Sequence, residues 1–526
     1  MRAALVLIYA LASAALYSGL LPLWEGFDEL YHYAYVQHLA TTQRFPIIGE
    51  TRLSNELWTS LDYLPVSHYI QPYLERPSID FQRYFTMASE QRSTLRRGAD
   101  SLDRGLRNEP SPRLTYEAMQ APLTYILLAP VDAALSGVSL TSRVLALRLL
   151  LSLSAIALLW AGALRLARHL GLRGAMQTAC LFTIFSCQML YAETCRVGND
   201  AFVPPWLLFL LVAVIESLNS PTLHRSAWTA LLMVAGLLIK SSALVFLPLA
   251  FISPFVLWFR GRLQMSEAVK HLALSTGIIG LLAGPWYLRN LKLYHNLTAT
   301  VESTGGVGAK GLFRAAVDLP WWQSLAQLTH SALWTGNNSF TTFSGATLNI
   351  VLSLLGLAII LYCCRARYNP AEQITIAAIG LYATLIIAIT LSFFSSSHGA
   401  VIAAMPWYLQ VPLAPVLMLA FLGMGRQPVW GSWIAMITIA LWAYVAAVSW
   451  LAKLVPLYGG FGGSHARAGQ LLRWYWGNAG ERNLVLSTLC PAPAPILYAL
   501  LALVLGSLVV SSAGLIRAIY RRDTAP

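Results

Sequence analysis

The chain has 526 residues, of which 57% are hydrophobic and only 11% charged, about half the charged share of an ordinary soluble domain. That composition excludes a cytosolic enzyme, a coiled coil and a disordered protein, and its continuous apolar runs exclude an outer-membrane barrel, whose strands alternate. The net charge of +13 is divided, residues 24–142 summing to −4 and the rest to +17, with most bases in short connections between apolar runs; this is a membrane pattern, and no nucleic-acid partner is expected.

In chain order, apolar runs long enough to approach a bilayer crossing lie at about 3–23, 143–164, 175–192, 201–218, 226–239, 242–259, 269–287, 346–364, 373–394, 405–424, 430–452 and 494–517. The expectation is an all-α polytopic membrane protein of about 12 transmembrane helices, one integral membrane domain over residues 1–526. The first run, with Arg2 and Ala12-Ser13-Ala14, has features of a signal peptide and is read as an uncleaved first helix. Arg165, Arg168, Arg173, Arg225, Arg260, Arg262, Arg365, Arg367, Arg426, Arg517, Arg521 and Arg522 fall on one side and place both termini in the cytoplasm.

Residues 24–142, 288–345 and 453–493 then become extracytoplasmic loops. The first begins with an amphipathic-looking stretch, Asp28 to Ala40. Its apolar run Ala121–Leu140 holds two prolines and Asp132, and reads as an interfacial helix instead of a span. The six cysteines form no CxxC pair and are expected as small buried hydrophobes.

Acidic residues are few, so candidates for chemistry can be weighed singly. Asp28 and Glu29 follow the first run closely, and charge so near the hydrocarbon edge is costly and often functional. Asp28 and His32 share a helix face at i, i+4, where they could supply a base or bind a divalent metal; alternatively Asp28 caps the helix and Glu29 favours its positive end. Glu117 and Gln120 are three apart and could meet one ligand, or form the polar entry to the interfacial helix. Glu193, Arg196, Asn199 and Asp200 form a polar connector, which solvation and capping would also explain. Among boundary bases, Arg148 and Lys240 either snorkel or converge with Arg289 on a lipid phosphate; Arg143 and Lys292 lie at the same boundary. His38, His398, His465, Arg467, Glu302 and the sequons at Asn296 and Asn337 suggest no role.

Six motifs recur in a telling order: the acid pair with His32; Tyr116-Glu117, Gln120 and Pro122-Leu123; Arg148-Leu149-Leu150; Asn199-Asp200; Gly236-Leu237-Leu238-Ile239-Lys240; and Gly284-Pro285-Trp286-Tyr287-Leu288-Arg289-Asn290. Over residues 1–295 this series resembles the GT-C superfamily of membrane glycosyltransferases, in particular its bacterial branch of protein O-mannosyltransferases and aminoarabinose transferases. The resemblance implies a helical core, a long first extracytoplasmic loop with interfacial helices, and transfer of a sugar from a polyprenyl-phosphate carrier to a glycan, lipid or protein acceptor. The site would face outward from the bacterial inner membrane, among membrane lipids. It implies Asp28 as general base with Glu29 and His32 beside it, and Arg148, Lys240 and Arg289 as carrier-phosphate contacts. Glu117, Gln120, Asn199 and Asp200 join them as substrate-binding candidates. The chain departs from the family at Leu30, where a proline is common, at Ala121, which replaces one of two prolines, and at Met405-Pro406-Trp407-Tyr408-Leu409, which lacks a frequent arginine. A flippase for lipid-linked glycans and an O-antigen-ligase-like enzyme are the alternatives.

Overall fold

The computed structural model describes residues 2–524 apart from 68–69, 75, 301–306, 334–341, 365–366 and 461–467. Glu302, Arg365, His465, Arg467 and the Asn337 sequon lie outside the described residues, as does the side chain of Arg522.

Among the described residues, eight helices are long and apolar enough to cross a bilayer, and the pair Met265–Leu282 and Gly284–Tyr294, bent by 51°, makes a ninth. The bend falls at Gly284-Pro285, where the proline removes a backbone donor. The other three apolar runs are the shorter helices Gly174–Ser186, Leu223–Ile239 and Leu413–Gly425. Each is cut short by local chemistry: Cys187 and Lys240 are extended, and the run around Pro406 begins as a 3-10 turn. Phe259, Leu281 and Trp430 project outward fully or largely exposed, as lipid-facing side chains of an integral membrane protein do.

Helix Arg2–Leu20 lies inside the bundle, against Leu140–Leu170, Gly174–Ser186 and the terminal helix Ala494–Thr524. Leu140–Leu170 starts on the Ser139 side chain and stops at Gly171, whose φ of 82° only glycine adopts easily. Its 31 residues span about 46 Å, against about 30 Å of hydrocarbon, so its first turns rise beyond the bundle and carry Arg143 and Arg148 into the segment 24–142.

That segment packs on one end of the bundle around its own core of Tyr33, Tyr35, Leu53, Leu57, Leu61 and Tyr125. A two-stranded antiparallel ribbon, Arg52–Ser54 with Pro110–Leu114, ties its two halves together. Buried charges lock it further: Glu56 joins Gln37 and Arg143, and Asp132 joins Tyr33 and Arg107. Asp132 therefore serves a buried network, and its helix, Leu123–Ala134, is only 12 residues long. The stretch after Asp28 departs from expectation. Helix Glu29–Thr42 is buried on nearly every side from Glu29 to Gln37, because it runs between the bundle end and the loop core and has no solvent face. Cys363 and Cys364 also differ, being exposed while the other four cysteines are buried.

Candidate active site

The first helix ends at Leu20, and the next residues make a strained turn. Trp24 and Asp28 both take left-handed backbone (φ 67° and 57°); such a conformation is a genuine outlier for a tryptophan and tends to mark functional sites. Two anchors hold the turn. Trp24 donates its indole N–H to Ser60 Oγ at 3.0 Å. Arg148 donates to the carbonyls of Ser18, Leu21 and Pro22 while gripping Glu29 with two parallel hydrogen bonds.

Glu29 is fully buried, and its Oε1 also accepts the Val197 N–H at 2.9 Å. Both its oxygens are engaged, and Arg148 has no exposure and no place on the cavity wall. The pair holds the turn, with Glu29 at the cavity wall and Arg148 behind it. Asp28 is freed by the same geometry. It precedes the helix, but its side chain makes no capping bond. It accepts a hydrogen bond from Tyr116 Oη and borders a cavity of about 1390 Å³.

Five more predicted residues meet at this cavity: His32, Glu117, Gln120, Asp200 and Lys240. Asp200 is paired with both Lys240 and Arg196, the latter at 2.8 Å. Lys240 stands 5.0 Å from the ring centre of Tyr408. His32 Nδ1 lies 2.7 Å from Tyr125 Oη and 3.9 Å from Glu117. Burial, and then the charge of Arg196, hold the imidazole well below its usual range, so it is neutral and that contact is no ion pair. Among the described residues no group of three or more His, Cys, Asp or Glu converges as metal ligands.

Two predicted residues stand apart. Asn199 is buried behind the wall, donating to Gln120 Oε1 at 3.0 Å and to the Ile239 carbonyl at 2.9 Å; it orients Gln120 and does not face the cavity. Arg289 donates to the Pro46 carbonyl at 2.8 Å and sits 4.9 Å from the Trp286 ring centre. It braces the loop against the bent helix, off the cavity wall.

Arg196, weighed only as part of a polar connector, and Tyr116, Trp407 and Tyr408, given no role of their own, also line the cavity. Arg196 is the most telling. It is 1% exposed, and its Nε and Nη1 have no hydrogen-bond partner among the described residues. A Cβ on Gly26 would come 2.7 Å from Arg196 Cβ, and one on Gly198 would come 2.4 Å from Nη1, so two glycines make room for this side chain. Gly26, two residues before Asp28, and Gly198, beside Asn199, are the available signal in the sequence. The 405–409 segment that departs from the family pattern supplies aromatic wall, with the Trp407 ring tilted against Phe27 at 4.7 Å between centres. Leu244, Val245, Ile389 and Phe393 make the remaining flank apolar.

No protein-family model matches the chain, and no curated protein matches it. Among solved structures it is similar to the crystal structure of ArnT from Cupriavidus metallidurans bound to undecaprenyl phosphate, at 15% identity and TM-score 0.42, covering 89% of this chain and 74% of that one. The apo crystal structure of the same protein gives 17% identity and TM-score 0.39, covering 88% of this chain and 73% of that one. At this level of likeness no residue's role is carried over, and the chemistry of the cavity is read from its own side chains.

Proposed function

We propose that this protein is a glycosyltransferase that moves a sugar from a polyprenyl-phosphate carrier to an acceptor hydroxyl at the outer face of the membrane. The observation that supports it most is the pairing, in one cavity, of a carboxylate held off its helix with a buried cation cluster that has unpartnered donors.

A buried guanidinium N–H without a partner is costly unless a ligand fills it. Asp200 offsets one of the two positive charges of Arg196 and Lys240, so the cluster retains a net positive charge suited to one phosphate anion. The apolar flank suits an isoprenoid chain. Asp28, with Tyr116 fixing one oxygen, is placed to take the acceptor's proton. As the acceptor oxygen bonds to the anomeric carbon, the bond from that carbon to the carrier phosphate breaks and its electron pair leaves with the phosphate. Arg196 and Lys240 stabilise that developing charge. A single displacement inverts the anomeric centre. The basic bias of the connections supports residues 24–142 lying outside.

The test supplies full-length protein in lipid nanodiscs with polyprenyl-phosphate sugars and an envelope extract, and follows sugar-sized mass additions. A new glycosidic bond with release of carrier phosphate is the expected result. Movement of intact lipid-linked sugar across liposomes, with no new bond, would replace this reading with a flippase.

A further inference from the structure

Of the carboxylates bordering the cavity, Glu29 is matched by Arg148 and Asp200 by Arg196 and Lys240, while Asp28 holds the Tyr116 hydroxyl. Glu117 has no such match. It is 4% exposed, its Oε2 has no hydrogen-bond partner among the described residues, the base nearest it is the neutral His32 at 3.9 Å, and Lys240, which also acts on it, is paired with Asp200. A buried carboxylate without a cation is costly as an anion and sheds that cost by keeping its proton.

We propose that Glu117 is a neutral carboxylic acid at working pH and donates a hydrogen bond to a hydroxyl or carbonyl oxygen of the transferred sugar, and is not a second base. This deepens the glycosyltransferase reading and rests on it. The groups that face Glu117 agree. Asp28 with Tyr116 lies on one side, and the Asp200–Lys240 pair, Arg196, Gln120 and the His32–Tyr125 pair complete its surroundings. Asp28 is an anion if it is to accept a proton, and a second anion beside it would repel the carrier phosphate. As an acid, Glu117 adds a donor without adding charge. Burial first, and then the neighbouring Asp28, push its carboxyl up to about 8. Gln120, held by Asn199, and the charge of Lys240 favour the ionised form and only partly oppose this.

Two variants separate donor from base. Glu117→Gln keeps a neutral donor, and Glu117→Ala removes it. Transfer kinetics are measured on full-length protein in nanodiscs from about pH 6 to about pH 9.5. Wild type should lose kcat/KM above about pH 8, mainly through KM. Glu117→Gln should stay within about threefold of wild type at pH 7 and lack that alkaline loss, and Glu117→Ala should fall about 100-fold. A folded Glu117→Gln as inactive as Glu117→Ala at every pH would overturn the proposal. An infrared difference between wild type and Glu117→Gln reads the proton without any transfer. A carboxylic-acid carbonyl band at pH 7 that vanishes above about pH 8 is expected, and its absence at pH 7 would overturn the neutral state. If the band is present while wild type transfers no sugar, the glycosyltransferase reading fails, and the contact to a sugar fails with it.

Discussion

Replacing Arg148 with methionine should be among the most damaging single changes outside the cavity. Both Arg148 and Glu29 are fully buried, and removing one partner of such a pair costs about 3–5 kcal/mol because the other charge is left uncompensated. The carbonyls of Ser18, Leu21 and Pro22 also lose their donor, at about 1 kcal/mol each or more where no water enters. The expected loss for Arg148→Met is therefore on the order of 5 kcal/mol or above, enough to unfold a marginally stable protein. The double variant Glu29→Gln with Arg148→Met removes both charges and leaves an amide oxygen for the Val197 N–H. It should recover the part due to the uncompensated charge, about 3–5 kcal/mol, and leave the loss at the three carbonyls, about 3 kcal/mol. Cys180, Cys187, Cys195 and Cys490 are buried, so a thiol-reactive dye reports unfolding over the baseline from exposed Cys363 and Cys364. If Arg148→Met melts like wild type, or the double variant is no better than the single one, the pair is not what holds the turn. A double variant that folds and binds donor yet transfers no sugar would return Glu29 to the chemistry.

Three further outcomes follow from the same geometry. Arg196→Met should weaken binding of a polyprenyl-phosphate donor by about 100-fold, on the order of 3 kcal/mol, with a similar but smaller loss for Lys240→Met; unchanged affinity in a nanodisc titration would remove the cation cluster from the site. Gly26→Ala should displace Arg196, since the new Cβ would lie 2.7 Å from its Cβ, and lower donor affinity about tenfold or more at little change in melting temperature. For Glu117 the sign is fixed by a folded-state value raised from 4.5 to about 8: its contribution is fully present below pH 4.5 and is lost as pH rises towards 8. Wild type should thus fall behind Glu117→Gln in stability across that window, by about 3 kcal/mol at pH 7, and equal melting profiles across that range would contradict it.

Much of this was legible in the sequence because membrane spans are set by composition and length. The twelve apolar runs all recur as helical segments, and the buried ion network explains why Ala121–Leu140 could not be a span: Asp132 already has partners in the loop. The site was legible where residues lie close in sequence to a feature that fixes their direction. Asp28, His32, Glu117, Gln120, Asp200 and Lys240 reach one cavity. The residues that stand apart share a cause. Spacing tells which charges lie near the membrane boundary but not which of them meet, so Arg148 and Glu29, 119 positions apart, appeared as two free functional groups when they neutralise each other. Arg289 similarly faces the loop backbone, and Asn199 turns to Gln120. Arg196, in a short polar connector, is equally well explained by solvation on sequence alone; the close approach of Gly26 and Gly198 reveals a buried slot.

The central claim is that Asp28 takes the acceptor's proton while the cation cluster receives the carrier phosphate. The direct measurement compares wild type and Asp28→Asn, matched for melting and for donor binding, for release of polyprenyl phosphate and formation of the glycosidic bond in a single turnover. The account predicts equal donor binding, an inverted product from wild type and at least about a 1,000-fold slower turnover in Asp28→Asn. Turnover by Asp28→Asn at the wild-type rate would contradict it.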